Sequence, residues 1–109
     1  MFQPTTKKEL QNAVNLWCKD QESVLEKYGD INSWNVSKIK VMSKLFKNKK
    51  NFNSDISNWN VSNVRNMRNM FYASSFNKDL SNWNVSSVID REDIFKYTTM
   101  KEEWKPKFK

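Results

Sequence analysis

The chain has 109 residues, the size of one domain, and carries 19 Lys and Arg against 12 Asp and Glu, a formal charge of +7. Hydrophobic residues make up only 38%, yet Trp, Phe and Tyr alone reach 14%, so the apolar material sits in a few large side chains and argues against a disordered chain. There is no His and a single Cys, which excludes Ser-His-Asp triads, Cys-His dyads, His-ligated metals, Cys-based zinc sites and an intramolecular disulfide.

In chain order, Thr6-Lys7-Lys8-Glu9 fits a capping box, followed by Leu10, Val14 and Trp17 on one helical face. Cys18 reads as a small hydrophobe in that helix. Asp20 starts a second short helix carrying Val24, Leu25 and Tyr28, closed by Gly29. Residues 5–28 are therefore expected to form a helical N-terminal cap. No apolar run approaches the roughly 18 residues of a membrane span, and the first ten residues lack a signal-peptide core.

Internal repetition follows. Three segments align on Trp34, Trp59 and Trp83, which lie 25 and 24 residues apart, and Phe46, Phe71 and Phe95 each follow twelve residues later. Trp-Asn-Val-Ser recurs unchanged at 34–37, 59–62 and 83–86, and Asp30, Asp55 and Asp79 share one column. The repeats divide the single domain into 28–51, 52–75 and 76–99, with a tail at 100–109. Met100 occupies the column of Phe52 and Phe76, but Trp104 arrives early and Pro106 stops the pattern.

Within each unit the apparent period changes. Trp59 and Val61 alternate with Asn, a weak strand signature, and Ser62 then precedes Val64, Met67, Met70 and Phe71 at helical spacing. The first unit repeats this with Ile39, Met42, Leu45 and Phe46, while Arg91 replaces the middle Met in the third. The reading is an α/β repeat: a short right-handed solenoid of three strand-turn-helix units of about 25 residues behind the N-terminal helical cap. Trp34, Trp59, Trp83, Phe46, Phe71, Phe95, Met42 and Met67 form its expected repeat core. Asn35, Asn60, Asn84, Asn58 and Asn82 are expected at turns, left-handed or hydrogen-bonded to main chain, which lets the repeat manage with one Gly.

The consensus FN-x-D-[IL]-S-x-W-[ND]-V-S-x-V-x-x-M-x-x-MF resembles the repeat of BspA-like leucine-rich-repeat surface proteins, also seen in mycoplasma surface lipoproteins, large DNA viruses and protists. The resemblance covers about 28–95 strongly and 5–27 more loosely. It implies a repeat fold and, in part of that family, adhesion. Without an export signal or lipid-anchor Cys, the expected location is intracellular or virion-associated rather than the cell surface.

The chemistry left to such a chain is narrow. Asp30, Asp55 and Asp79 stand about one repeat apart, as a structural column rather than an acid/base pair. Asn-Val-Ser at 35–37, 60–62 and 84–86 matches the glycosylation pattern but recurs as a product of the fold. No catalytic residue, metal site or cofactor is expected, and the chain is read as non-enzymatic. The charge is uneven: residues 29–51 carry +5 of the total, in Lys38, Lys40, Lys44, Lys47, Lys49 and Lys50 against one Asp. These six lysines are the candidate binding patch. The first function class is a protein-protein interaction or structural module, such as a viral or assembly component, with a protein partner. The second is a nucleic-acid-associated protein whose first repeat contacts phosphate.

Overall fold

The structure, a computed structural model, describes residues 1–108. Helix α1 runs Lys7–Lys19 and buries Leu10, Ala13, Val14 and Trp17. Its first turn is capped twice: the Glu9 N–H donates to Thr6 Oγ1 at 3.1 Å, and the Glu9 carboxylate accepts from the Thr5 N–H at 2.9 Å. Asp20 then caps α2, Gln21–Tyr28, by accepting from the Ser23 N–H at 3.2 Å. Gly29 ends α2 with φ +79°, a left-handed conformation in which its N–H reaches the Leu25 carbonyl at 2.9 Å.

Beyond this pair of helices the expected architecture is wrong. Among the described residues, only two short 3-10 turns follow, Ile31–Ser33 and Glu102–Trp104, and extended pairing is limited to isolated parallel bridges Val41–Asn66 and Asn66–Asp90. Among the described residues there is no sheet, and no helix starts at Ser37, Ser62 or Ser86. The α/β solenoid of strand-turn-helix units is replaced by stacked coils built almost wholly of turns.

The reason lies in backbone conformation at every fourth residue. Lys44 and Asn48, Asn69 and Ala73, and Asp93 and Tyr97 all have positive φ, between 54° and 61°. A left-handed residue breaks the helical ladder at that point and costs roughly 1–2 kcal/mol for a side chain other than glycine. What results is a run of overlapping turns: the N–H groups of Leu45, Lys47 and Lys49 donate to the carbonyls of Met42, Lys44 and Phe46 three residues back. The intervening N–H groups of Met42, Lys44, Phe46 and Asn48 point along the stack instead. They donate to the Asn66, Arg68, Met70 and Tyr72 carbonyls of the next coil at 2.8–2.9 Å.

The second coil repeats this division. Met70, Tyr72 and Ser74 donate within the coil, while Met67, Asn69, Phe71 and Ala73 donate to the Asp90, Glu92, Ile94 and Lys96 carbonyls of the third. Apolar residues at spacings of three and four thus reach one interior without a helix. Met42, Leu45, Phe46, Met67, Met70 and Phe71 are fully buried, as is Ile94 nearly so.

On the opposite side of each coil the indole ring joins the coils. Trp59 Nε1 donates to the Ile31 carbonyl at 2.7 Å and Trp83 Nε1 to the Ile56 carbonyl at 3.1 Å, while Trp34 Nε1 reaches Gly29 at 3.1 Å. Trp34 stacks on Trp59 with centroids 6.5 Å apart. Phe46, Phe71 and Phe95 form a second stacked column at 5.3 and 5.5 Å, and Phe52 and Phe76 a third pair at 5.7 Å. Each such ring pair adds about 0.5–1.5 kcal/mol beyond burial.

Helix α1 closes the first coil, and the contact shows how. Leu45 holds the position that Met70 holds in the second coil, where the carbonyl accepts a backbone N–H from the coil before. Here the Gln11 side-chain amide donates to the Leu45 carbonyl at 2.9 Å, standing in for the missing backbone. Trp17 Nε1 to Ser54 Oγ at 3.1 Å and Asn51 Nδ2 to the Cys18 carbonyl at 3.0 Å complete the seam.

Replacing Ala73 by Gly separates the turn ladder from a helix by sign. At a left-handed position Ala73→Gly should stabilise the protein by about 0.5–1 kcal/mol, whereas in a helix interior it would destabilise by a similar amount. Urea denaturation of the two proteins reads the difference.

Candidate functional site

The inward columns of the coils are nearly invariant, whereas the outward columns of the turn ladder vary; the exposed Asp and Asn columns at the other turns stay constant. Trp34, Trp59 and Trp83 are buried, as are Val36, Val61 and Val85, and Met42 and Met67; Phe95 is half-buried at the last coil. Facing out, the ladder aligns Lys40, Arg65 and Ile89, then Ser43, Arg68 and Glu92, then Lys44, Asn69 and Asp93. Lys40 and Arg65 are held in register by the Arg65 N–H on the Lys40 carbonyl at 2.8 Å, and Ile89 by its N–H on the Arg65 carbonyl at 2.8 Å. Ile89 is 86% exposed, an apolar side chain where the coils before it carry cations.

The polar columns are structural. Asp30, Asp55 and Asp79 each accept the backbone N–H two residues on, at 2.8–2.9 Å. The hydroxyl and N–H of Ser81 hold the exposed Asp79 carboxyl below its ordinary range. Asn35, Asn60 and Asn84 accept from Ser37, Ser62 and Ser86 at 3.0–3.1 Å, so these serines donate to asparagine rather than capping helices. The left-handed residues lie elsewhere, at the six positions of the turn ladder.

The six candidate lysines do not form one free patch. Lys38, Lys40 and Lys44 are exposed on the first coil, whereas Lys47 and Lys49 are half-buried. The Lys47 ammonium lies over the Tyr72 ring at 5.2 Å, and Lys50 Nζ donates to the Ala73 carbonyl, so both tie the first coil to the second. Lys49 lies close enough to Cys18 to oppose the upward push of burial on that half-buried thiol.

Lys7, which no sequence pattern singled out, joins the patch from α1. Burial and then the neighbouring Lys44 ammonium hold the Lys7 amine below its ordinary value, and its Nζ donates to Gln11 Oε1 at 2.8 Å. The sequence held no signal for this pairing, since the two lysines are 37 positions apart and meet only because α1 lies across the first coil. Arg65 is the other addition, placed one coil beyond Lys40. At the far end the charge reverses: Asp90 and Glu92 pair with Arg68 at 3.5 and 2.6 Å, exposed contacts worth at most about 1 kcal/mol. Asp90 forms the parallel bridge to Asn66, and Glu92 lies in the turn that follows.

A lowered lysine pKa sets the sign of a pH effect. The folded state disfavours the Lys7 proton, so its cost is full at neutral pH and is relieved as pH rises from the folded value toward the unfolded value near 10.5. The stability difference between wild type and Lys7→Gln should therefore shift in favour of wild type across that alkaline window. At neutral pH, solvent screening keeps the difference within about 0.5 kcal/mol. Thermal melts in paired buffers check the slope.

A shallow cleft of about 550 Å³ opens between the second and third coils beside Asp55, Asp79 and Trp104. Among the described residues, no three His, Cys, Asp or Glu side chains are grouped to hold a metal ion, and no helix is long and apolar enough to cross a membrane.

Neither a curated protein nor a solved structure matches this chain. A family model described as Mycoplasma protein of unknown function, DUF285, matches residues 9–106, which takes in α1, all three coils and the tail through the buried Pro106. The shared pattern therefore spans the cap as well as the repeat, and the chain belongs to the DUF285 family.

Proposed function

We propose that this protein is a non-enzymatic interaction module whose coils hold a variable outer surface on an invariant interior. One observation carries the reading. Columns that face the core repeat Trp, Val and Phe from coil to coil, while the outward columns of the turn ladder change along the stack, from the cations Lys40 and Arg65 to the apolar Ile89 and from Lys44 through Asn69 to Asp93. Packing explains the first set; the second is free to match a partner. The partner it suits best is a protein with an acidic face toward the first coil, where Lys38, Lys40, Lys44 and Arg65 stand exposed. A structural or assembly role, in a cell or a virion, belongs to the same reading.

A second reading rests on the Lys7–Lys44 pair. Burial first, and then the Lys44 ammonium, hold the Lys7 amine below its ordinary value, and a phosphate would relieve the positive charge gathered there. Against it, Trp34, Trp59 and Trp83 lie in the interior and offer no stacking platform beside the lysines.

Charge reversal separates the two. In affinity capture from the native source, wild type should retain a specific protein partner, and Lys38→Glu/Lys40→Glu/Lys44→Glu should lose it. Capture that is unchanged by the triple substitution would contradict the acidic-partner reading. Binding to RNA or DNA that weakens by orders of magnitude between about 50 and 200 mM salt, and disappears in the same variant, would favour phosphate instead.

A further inference from the structure

The two ends of the coil stack are finished differently. At the first coil, α1 lies over the carbonyl row and Gln11 fills the Leu45 position. At the third coil, the groups that should continue the ladder are N–H donors. Ile94, Lys96 and Thr98 donate back to the Arg91, Asp93 and Phe95 carbonyls, as in the earlier coils. The N–H groups of Asp93, Phe95 and Tyr97 correspond to those of Asn69, Phe71 and Ala73, which bind the next coil, yet among the described residues they meet no acceptor. Asp93 and Tyr97 keep the left-handed conformation that aims those donors along the stack.

The tail does not supply the missing row. It continues the stack on the tryptophan side only, where the Lys101 N–H reaches Asn77 Oδ1 at 3.3 Å and the Leu80 N–H reaches the Trp104 carbonyl at 2.8 Å. It then crosses the end of the third coil with Lys105 Nζ 5.3 Å over the Phe95 ring and Pro106 buried. A cavity of about 350 Å³ remains between Ile94, Phe95, Pro106 and Phe108. The ring column of Phe46, Phe71 and Phe95, spaced at 5.3 and 5.5 Å, ends at this cavity.

We propose that this edge docks one uncapped unit of the same turn repeat, carried by another polypeptide. Its backbone carbonyls at alternate residues would accept from Asp93, Phe95 and Tyr97, and its phenylalanine would extend the ring column into the cavity, displacing Lys105. The second-to-third coil interface shows what such an edge binds: alternate carbonyls, at 2.8–3.0 Å. A second copy does not fit. Two third-coil edges would face donor to donor, and the carbonyl row of the first coil lies under α1. The exposed Asp93 carboxylate favours a cation on the incoming unit, as Arg68 meets Asp90 and Glu92 within the chain. This edge is separate from the lysine face, so its failure leaves that reading standing.

The test follows amide hydrogen exchange in the ¹⁵N-labelled full chain. The probe is a synthetic peptide of residues 76–99, which carries the carbonyl row that the second coil already accepts. A second protein carries the same segment in cis, inserted after Thr99. Docking predicts exchange slowed at least about tenfold at Asp93, Phe95 and Tyr97 in both formats, with Lys44, Phe46 and Asn48 unchanged. No protection in trans up to about 1 mM peptide, the limit of weak binding, overturns the docking proposal, and none in cis overturns the edge geometry itself. Protection that grows with concentration of the unmodified chain alone would identify a second copy and overturn the stated occupant.

Discussion

The structure depends on how each coil divides its backbone N–H groups. Alternate amides close turns inside the coil, and the amides between them cross to the next coil. Neither set alone would suffice. A turn without the crossing bonds would leave half the amides of a largely buried segment unpaired, at a cost of about 1–3 kcal/mol for each that water cannot reach. The crossing bonds without the turns would need long strands, which these short units do not form. Left-handed residues four apart make the division possible, and the strain they carry is offset by the ladder they permit.

From that division the rest follows. The coil repeat of 24 or 25 residues brings identical side chains into register, so Trp stacks near Trp and Phe on Phe. Asparagine and serine fill the remaining corners by accepting and donating over two residues, which is why a chain with 15 Asn needs one Gly. The ends need separate solutions, because each coil leaves carbonyls on one side and amides on the other. A glutamine side chain answers the first, and the tail accepts the Leu80 N–H of the second but, among the described residues, leaves the amides of Asp93, Phe95 and Tyr97 without a carbonyl.

Much of this was legible in the sequence, and the error was specific. The repeat boundaries follow from Trp34, Trp59 and Trp83, and the capped helices from Thr6, Asp20 and Gly29. The helix expected after Val61 was misread because Val64, Met67, Met70 and Phe71 satisfy two geometries: a helix and a run of overlapping turns both bury residues three and four apart. A contrary signal was present. Asn63, Asn66 and Asn69 are poor helix formers that tolerate left-handed backbone, and nine residues are too few for a helix to persist on propensity. For the site, the local lysine excess was readable, but Lys7 and the ties of Lys47 and Lys50 to the second coil were not. Those depend on which coil lies beside which, and one-dimensional charge counts contain no such adjacency.

The division of amides can be measured bond by bond. Scalar couplings through hydrogen bonds in ¹³C,¹⁵N-labelled protein report which carbonyl each amide meets. The account predicts couplings from the nitrogens of Lys44, Phe46 and Asn48 to the carbonyl carbons of Arg68, Met70 and Tyr72, with Leu45, Lys47 and Lys49 coupled three residues back. Couplings from Phe46 to Met42 and from Asn48 to Lys44, the four-residue pattern of a helix, would contradict it.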